Sequence, residues 1–520
     1  MKLQIQHNFI SQLPADPIEI NIPRQVEQAC FSYVEPKQPS NPSLMHASKE
    51  VAALIGLEQD AIFSADFLTI FSGKKVYPGT KPFALAYAGH QFGNWAGQLG
   101  DGRAINLTEV THNNQSYILQ LKGAGSTPYS RTADGFAVLR SSIREHLCAE
   151  AMHYLGIPTT RSLSLILSGD PVLRDVLYNG NPAYEKGAIV CRVAPSFIRF
   201  GSFELFASRN DDANLKLLAD FSIKHHFQHI TATGTAKYLA FFEEVTQTTL
   251  EMILHWQRVG FVHGVMNTDN MSIHGITIDY GPYGWLEDYN PDWTPNTTDN
   301  QYKRYRFGNQ PEMALWNLYQ LANALYPLIN DAKPLEAILN AFSTRYEKKY
   351  LLMMQEKLGL HIPKESDAIL IQNLTQLLPV VETDMTIFFR NLANVTKDDA
   401  AATAFDKIKY AFYNEEINET VLKNWHDWLA TYCLRLQEES LLDTERKAVM
   451  NAVNPKYVLR NYMAQLCIDD ADKGDYALLN ALFEMLKNPY AEQPNYEKWF
   501  AKRPDWARNK VGCSMLSCSS

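Results

Sequence analysis

Between residues 104 and 155 the spacing of apolar side chains changes from every second position to every third or fourth. Ala104–Val110 and Ser116–Leu121 alternate around His112-Asn113-Asn114, which predicts two strands joined by a turn, the second ending in Lys122. Phe136, Leu139, Ile143, Leu147 and Tyr154 then share one helical face. A helix is therefore expected from about Phe136 to Leu155, stopped by Gly156-Ile157-Pro158. Ser162–Leu167 and Ala188–Val193 read as further strands, with turns such as Ser168-Gly169-Asp170-Pro171 between them. Helical periodicity dominates from there on, clearest in Tyr238–Gly260 and Glu312–Leu328 and continuing to about Asn488. Residues 1–80 read as an extension with several prolines and a short helix near Ser48–Leu57, without evident chemistry. No repeat of fixed period and no low-complexity tract interrupts the chain.

The 520 residues suffice for two or three domains, and 46% hydrophobic with 20% charged residues is a globular composition. A net charge of −9 argues against nucleic acid as a partner, because phosphate attraction needs clustered Lys and Arg. No run approaches the roughly 18 to 20 apolar residues of a membrane span. No charged-then-apolar leader precedes Arg24, so a cytoplasmic protein is expected. The seven cysteines contain no Cys-x-x-Cys pair and do not form a disulfide framework. Five of them read as small buried hydrophobes. Cys513 and Cys518 lie in a small, polar tail expected to be mobile, where an exposed thiol either does redox chemistry or idles.

Several stretches carry more than packing. YAGHQFGNWAGQLGDGR places Gly89, Gly93, Gly97, Gly100 and Gly102 ahead of Arg103, a density suited to backbone that bends sharply or approaches a ligand. Lys122 closes the alternating strand YILQLK, and a polar loop follows, ending at Asp134-Gly135. Two acids on the next helix are candidates to pair with Lys122. Glu150 projects onto the apolar face and Glu145 away from it; the helical wheel leans toward Glu150 without deciding. Arg192 and Arg199 are candidate phosphate clamps or ordinary ion-pairing residues.

Residues 261–281, FVHGVMNTDNMSIHGITIDYG, bring these pieces into an order. In the protein-kinase catalytic loop an Asn lies seven positions after a His, and an Asp-Phe-Gly follows. His263 and Asn270 keep that spacing, and Asp279-Tyr280-Gly281 stands where Asp-Phe-Gly would. The position of the kinase base is Val265. Asn270 and Asp279 offer hard oxygens for a divalent metal, while the usual base is missing. The aromatic, turn-rich 282–310 segment that follows is long for a structureless loop and suggests a binding or activation-type segment.

YAGHQFGNWAGQLGDGRA, LQLKGAGSTPYSRTADG, LRSSIREHLCAEAMHYLGIPTTRSL, VHGVMNTDNMSI with IDYGPYGWLEDY, and NPKYVLRNY at Asn454–Tyr462 together resemble the selenoprotein O, or YdiU, family of protein adenylyltransferases. The resemblance covers nearly the whole chain. It implies an α+β, protein-kinase-like two-lobed fold, with a small β-rich lobe at 81–200 and a larger helical lobe at 201–330. A helical C-terminal region at 331–505 and a flexible tail at 506–520 would follow. It implies transfer of AMP from ATP, bound flipped relative to kinases, to Ser, Thr or Tyr hydroxyls of protein substrates, with pyrophosphate leaving. Carried over by motif, Gly100, Gly102, Arg103, Asp134, Gly135, Arg192, Arg199 and Asp279 contact the nucleotide. Lys122 pairs with Glu145 rather than Glu150; Asn270 and Asp279 hold Mg2+ or Mn2+; Asp269 accepts the proton and is expected to be ionised at neutral pH. His263 is expected to be structural. The alternatives are Mn-dependent UMP transfer from UTP at the same site, or a nucleotide-binding scaffold without turnover. A monomer is expected. Cys518 stands where some members carry selenocysteine, and no cysteine lies between Cys191 and Cys433, so a disulfide between catalytic loop and tail is not expected.

Overall fold

The computed structural model describes residues 1–175, 180–513 and 515–517. Its first eleven β-strands, in chain order, are β1 (Ile5–Gln6), β2 (Phe31–Tyr33), β3 (Ser43–Ala47), β4 (Phe83–Leu85), β5 (Ala88–Gln91), β6 (Asn94–Gln98), β7 (Ala104–His112), β8 (Gln115–Lys122), β9 (Ala137–Val138), β10 (Arg161–Arg174) and β11 (Ala183–Ala194). Nine of them form one antiparallel sheet in the order β2-β4-β7-β8-β11-β10-β3, with β1 on β7 and β9 on β11. Asn113 and Asn114 both take positive φ, which few side chains besides Asn tolerate, and join β7 to β8.

Residues 1–80 are built into this sheet. They supply β1, β2 and β3, and their helices Lys49–Leu54 and Ala65–Phe71 cover one sheet face. There Val51, Ile55, Phe67 and Phe71 pack against Ile105, Leu107, Leu119 and Leu121. Ser48 caps the first of these helices by accepting the Val51 N–H at 3.2 Å. The Leu139–Tyr154 helix covers the other face, over β10 and β11. It begins three residues later than the periodicity predicts, because Ala137–Val138 are taken by pairing with β11. The expected turn at 168–171 lies inside β10, as an irregularity in its register with β11.

The rest of the chain is mainly helical, so the molecule is α+β with a large antiparallel sheet and many helices. Thr235–Val259, Gln310–Ile329 and Ala332–Leu358 pack on one another. Gly260, in the left-handed conformation, ends the first and turns the chain into Phe261–Val262, which pairs with Gly284–Trp285. The catalytic-type loop therefore hangs between two short strands. A second apolar core, including Leu374, Phe388, Trp425 and Tyr432, holds the helices from Ser366 to Val453. The Asn454–Tyr462 motif ties this region back to the loop: Asn461 bonds the backbone N–H and C=O of Trp285, and Arg460 joins Glu287 to Asp384. In the tail, Leu516 exchanges backbone hydrogen bonds with Pro295 and Thr297, and Cys513 is 1% exposed. Cys518 lies outside the described residues. No helix among those described is long and apolar enough to cross a membrane.

Candidate active site

Alternation along β8 puts Gln120 and Lys122 on the same face, and Arg192 on β11 stands directly opposite Gln120. Lys122 Nζ meets Glu145 Oε2 at 2.7 Å, and Arg192 reaches the other oxygen of Glu145 at 3.2 Å while also holding Gln120. Glu150 faces elsewhere, since five residues turn a helix by about 140° beyond a full turn. It pairs with Arg161 at 2.7 Å and accepts the Ser162 N–H. Both acids are buried because the Leu139–Tyr154 helix is covered on nearly every side, so its apolar face could not choose between them.

Asp279 sits at the centre of a charged cluster. Its backbone is left-handed, with φ 57°, and its two oxygens each take a guanidinium at 2.5 Å, Arg192 on one and Arg199 on the other. Burial pushes this carboxyl up, but Arg199, Arg192 and Lys122 outweigh it and hold it well below the usual carboxylate range. Burial also lowers the Lys122 ammonium, with Arg192 and Arg103 adding to the shift against Glu145. Arg199 is further anchored on the Asp269 carbonyl at 2.7 Å and lies 4.3 Å over the Tyr87 ring. Asp101 lies 3.8 Å from its second nitrogen. Lys122, Arg192 and Arg199 are thus held by Glu145, Asp279 and Asp101, with Arg103 acting on Lys122 and Asp269 on Arg199. Arg192 Nε and Arg199 Nη2 are buried without a hydrogen-bond partner. Such a cluster is suited to a polyanion.

The glycine-rich stretch is a hairpin rather than an open loop: β5 and β6 meet through Phe92-Gly93, both at positive φ. The hairpin lies on the turn at residues 267–269. His90 N–H donates to Thr268 Oγ1 at 2.7 Å, Gln91 Nε2 to Asp269 Oδ2 at 3.2 Å, and Phe92 N–H to Asn267 Oδ1 at 3.1 Å. Glycines permit the approach: a Cβ on Gly201 would lie 2.0 Å from the Ala88 carbonyl, and one on Gly89 would lie 2.9 Å from Thr268 Oγ1. Asp269 Oδ1 is buried with no partner. Burial pushes the Asp269 carboxyl up to about 7 against the opposing Gln91 hydrogen bond and Arg199, so the expectation of a fully ionised carboxylate at neutral pH gives way to one poised near neutrality. His263 is buried, bonds the Ile278 carbonyl at 2.9 Å and stacks on Trp256; burial holds its ring below the usual imidazole range. Val265 is buried and has no proton to exchange.

A family described as Protein adenylyltransferase SelO matches residues 21–487. The chain belongs to the SelO family. Proteins named "Protein nucleotidyltransferase YdiU" are similar to it over its full length: 65% identical in Flavobacterium johnsoniae, 53% in Rhodopirellula baltica and 52% in Aromatoleum aromaticum, each covered to 99%. This SelO-family chain is a nucleotidyltransferase, which requires a nucleotide substrate.

The remaining sequence candidates lie in the segments that precede and follow β7 and β8. Gly100, at φ 123°, lies under Tyr129, whose ring would be 2.4 Å from an added Cβ, and Gly102 lies against the Tyr129 carbonyl. Asp134 stands at the rim with a side chain 41% exposed, bonded to Arg174 at 2.7 and 2.8 Å. Gly135 packs so closely on Gly125 that no side chain fits. For a divalent cation the donors suit a hard ion: Asn270 spends its amide N–H on the Val265 carbonyl, leaving its oxygen, and each Asp279 oxygen keeps lone pairs beyond its arginine. Among the described residues no group of three or more His, Cys, Asp or Glu side chains forms a metal cage. Sequence reasoning passed over Gln91, Asp101, Gln120 and Tyr87. Only Gln120 carried a signal, being two residues before Lys122 on an alternating strand.

Proposed function

We propose that this SelO-family enzyme transfers AMP from ATP to Ser, Thr or Tyr hydroxyls of proteins, with a kinase-like pair of lobes and a nucleotide bound in reverse. The observation that carries the reading is the unpartnered, buried Asp269 Oδ1 beside an inert Val265. The proton acceptor has moved away from the position that serves γ-phosphoryl transfer. A reversed nucleotide sends its β- and γ-phosphates inward, and Lys122, Arg192 and Arg199, with Arg103 at the mouth, supply the positive charge they need. Gly100 and Gly102 allow backbone approach, and Asp134-Gly135 closes the rim over the nucleoside. Glu145 orients Lys122. Asn270 and Asp279 would hold Mg2+ or Mn2+, which neutralises phosphate charge when bound. The acceptor oxygen forms its bond to the α-phosphorus, its proton passes to Asp269, and the α–β bridging bond breaks toward pyrophosphate. Asp269, poised near neutrality, both accepts this proton and aligns the hydroxyl. ATP labelled at the α position should mark protein, whereas γ-labelled ATP should not; label arriving only from the γ position overturns the reading. The relatives' name specifies no base, so UMP transfer is the second reading. Competition among the four nucleotides with either metal separates the two.

A further inference from the structure

Outside the charged cluster, the hairpin turn borders a groove of about 340 Å³ lined by Phe92, Asp299, Tyr302, Arg304, Arg306 and Met313. We infer that this groove seats the acceptor polypeptide and selects hydroxyls flanked by acidic side chains. The inference rests on the transferase reading above and names the class of protein that reading leaves open.

The groove opens beside the reacting groups. Phe92, its wall, gives its N–H to Asn267 and to the Tyr305 hydroxyl, and Tyr305 in turn donates to Asn267 at 2.7 Å. One residue back along the hairpin, Gln91 holds the Asp269 carboxylate. The groove wall and the side chain that touches the proposed proton acceptor are therefore neighbours in one hairpin turn.

The local charge opposes that of the whole molecule. The chain carries −9, but two cations, Arg304 and Arg306, line the groove, and exposed Lys303 stands between Tyr302 and Arg304 in the chain. Arg306 is paired with Asp292 at 3.1 Å. Asp299, also on the groove wall, accepts the backbone N–H groups of Arg304 and Tyr305 and offsets part of the positive charge of Arg304 and Arg306. Lys303 and Arg304 have no carboxylate within ion-pairing distance among the described residues. Arg304 is nevertheless held in place, its guanidinium 4.6 Å over the Trp316 ring and close against Gly93, where any Cβ would crowd it. Its Nε is buried without a partner. A pre-positioned guanidinium beside an exposed ammonium matches a carboxylate. Tyr302, 80% exposed, supplies flat apolar surface for the rest of an extended chain.

The test uses the full chain and fluorescein-labelled synthetic peptides, each with one Tyr flanked by Glu, Gln or Lys, read by fluorescence anisotropy without turnover. The Glu peptide should bind tighter than the Gln peptide by about fivefold per charge engaged, with the margin shrinking as salt rises. Lys303→Glu, a change at an exposed position that leaves the fold intact, should shift the preference toward the Lys peptide. Tyr302→Ala should weaken all three. Equal binding of the three peptides overturns the proposal. So does a ranking that Lys303→Glu leaves unchanged, or a concentration-dependent dimer that Tyr302→Ala abolishes, since a second copy would then occupy the groove. Parallel reactions with α-labelled ATP separate the two layers. Label on protein with a flat peptide ranking removes the groove alone; a charge-ranked groove without label removes the transferase reading alone.

Discussion

Asp279→Asn keeps shape and removes one charge from between Arg192 and Arg199. Each contact is 2.5 Å, and both arginines are almost fully buried. With charge centres about 4 Å apart and an effective dielectric of about 20, each pair is worth ~4 kcal/mol before desolvation. Breaking a buried pair from one side costs about 3–5 kcal/mol, because the remaining cation stays out of water. Here the lower end applies: Arg192 keeps Glu145 at 3.2 Å, and Arg199 keeps Asp101 at 3.8 Å. The chain has more than one apolar core, so a single global unfolding energy is a poor readout. Amide hydrogen exchange in β8 and β11 measures the local opening instead. A loss of about 3 kcal/mol accelerates exchange there by roughly 150-fold, while amides of the Glu419–Leu436 helix keep their wild-type rate. A polyphosphate such as ATP should restore part of the protection by replacing the lost anion, yet transfer stays abolished. Unchanged exchange in β8 and β11 would refute the claim that Asp279 neutralises this cluster.

Four further outcomes follow from the geometry. Asp269→Asn should lower the transfer rate by about 10²- to 10⁴-fold with nucleotide binding little altered, as measured by single-turnover kinetics beside equilibrium titration; a wild-type rate removes Asp269 as proton acceptor. Lys122→Ala should nearly abolish transfer, whereas Glu150→Gln, which disturbs only the Arg161 pair, should retain it even at some cost in thermal stability. Gly201→Ala drives a methyl group into the Ala88 carbonyl, so hairpin and catalytic loop must part; transfer should fall while α-helical circular dichroism is retained, and normal activity would count against the hairpin as a catalytic element. Acid should destabilise the protein through His46, His255 and His274, which burial lowers from 6.5 to about 4. Below 6.5 the unfolded chain takes up protons that the folded one refuses, so stability falls as pH drops from about 6.5 toward 4, by about 1.4 kcal/mol per histidine per pH unit. Amide protection in β3 and the Thr235–Val259 helix, corrected for intrinsic exchange, that stays flat between pH 7 and pH 5 would contradict this.

How far the candidate site was legible depended on whether a residue's partners are local or distant. The β7–β8 hairpin, its Asn turn and the Thr235–Val259 helix follow from periodicity and turn chemistry, which are properties of neighbouring residues. Residues 1–80 were misread as an extension because strands as short as β1 and β2 are defined by partners some fifty to a hundred residues away. The tail was misread for a similar reason: small polar residues suggest mobility, but Leu516 finds its hydrogen bonds at Pro295 and Thr297. Glu145 against Glu150 was undecidable on a wheel, since a helix enclosed on nearly every side has no single inward face.

By itself the sequence determined the order of the chemical groups: glycine-rich stretch, Lys122, acidic helix, Arg192 and Arg199, Asp269-Asn270, Asp279. It also determined that Val265 cannot move a proton. Only the tertiary structure decided that Asp279 is clasped by two arginines, that Gln91 reaches Asp269 from a hairpin far earlier in the chain, and that burial brings that carboxyl close to neutrality. Chain order fixes which groups are available. Their charge states and partners depend on desolvation and distance, which exist only once the chain has folded.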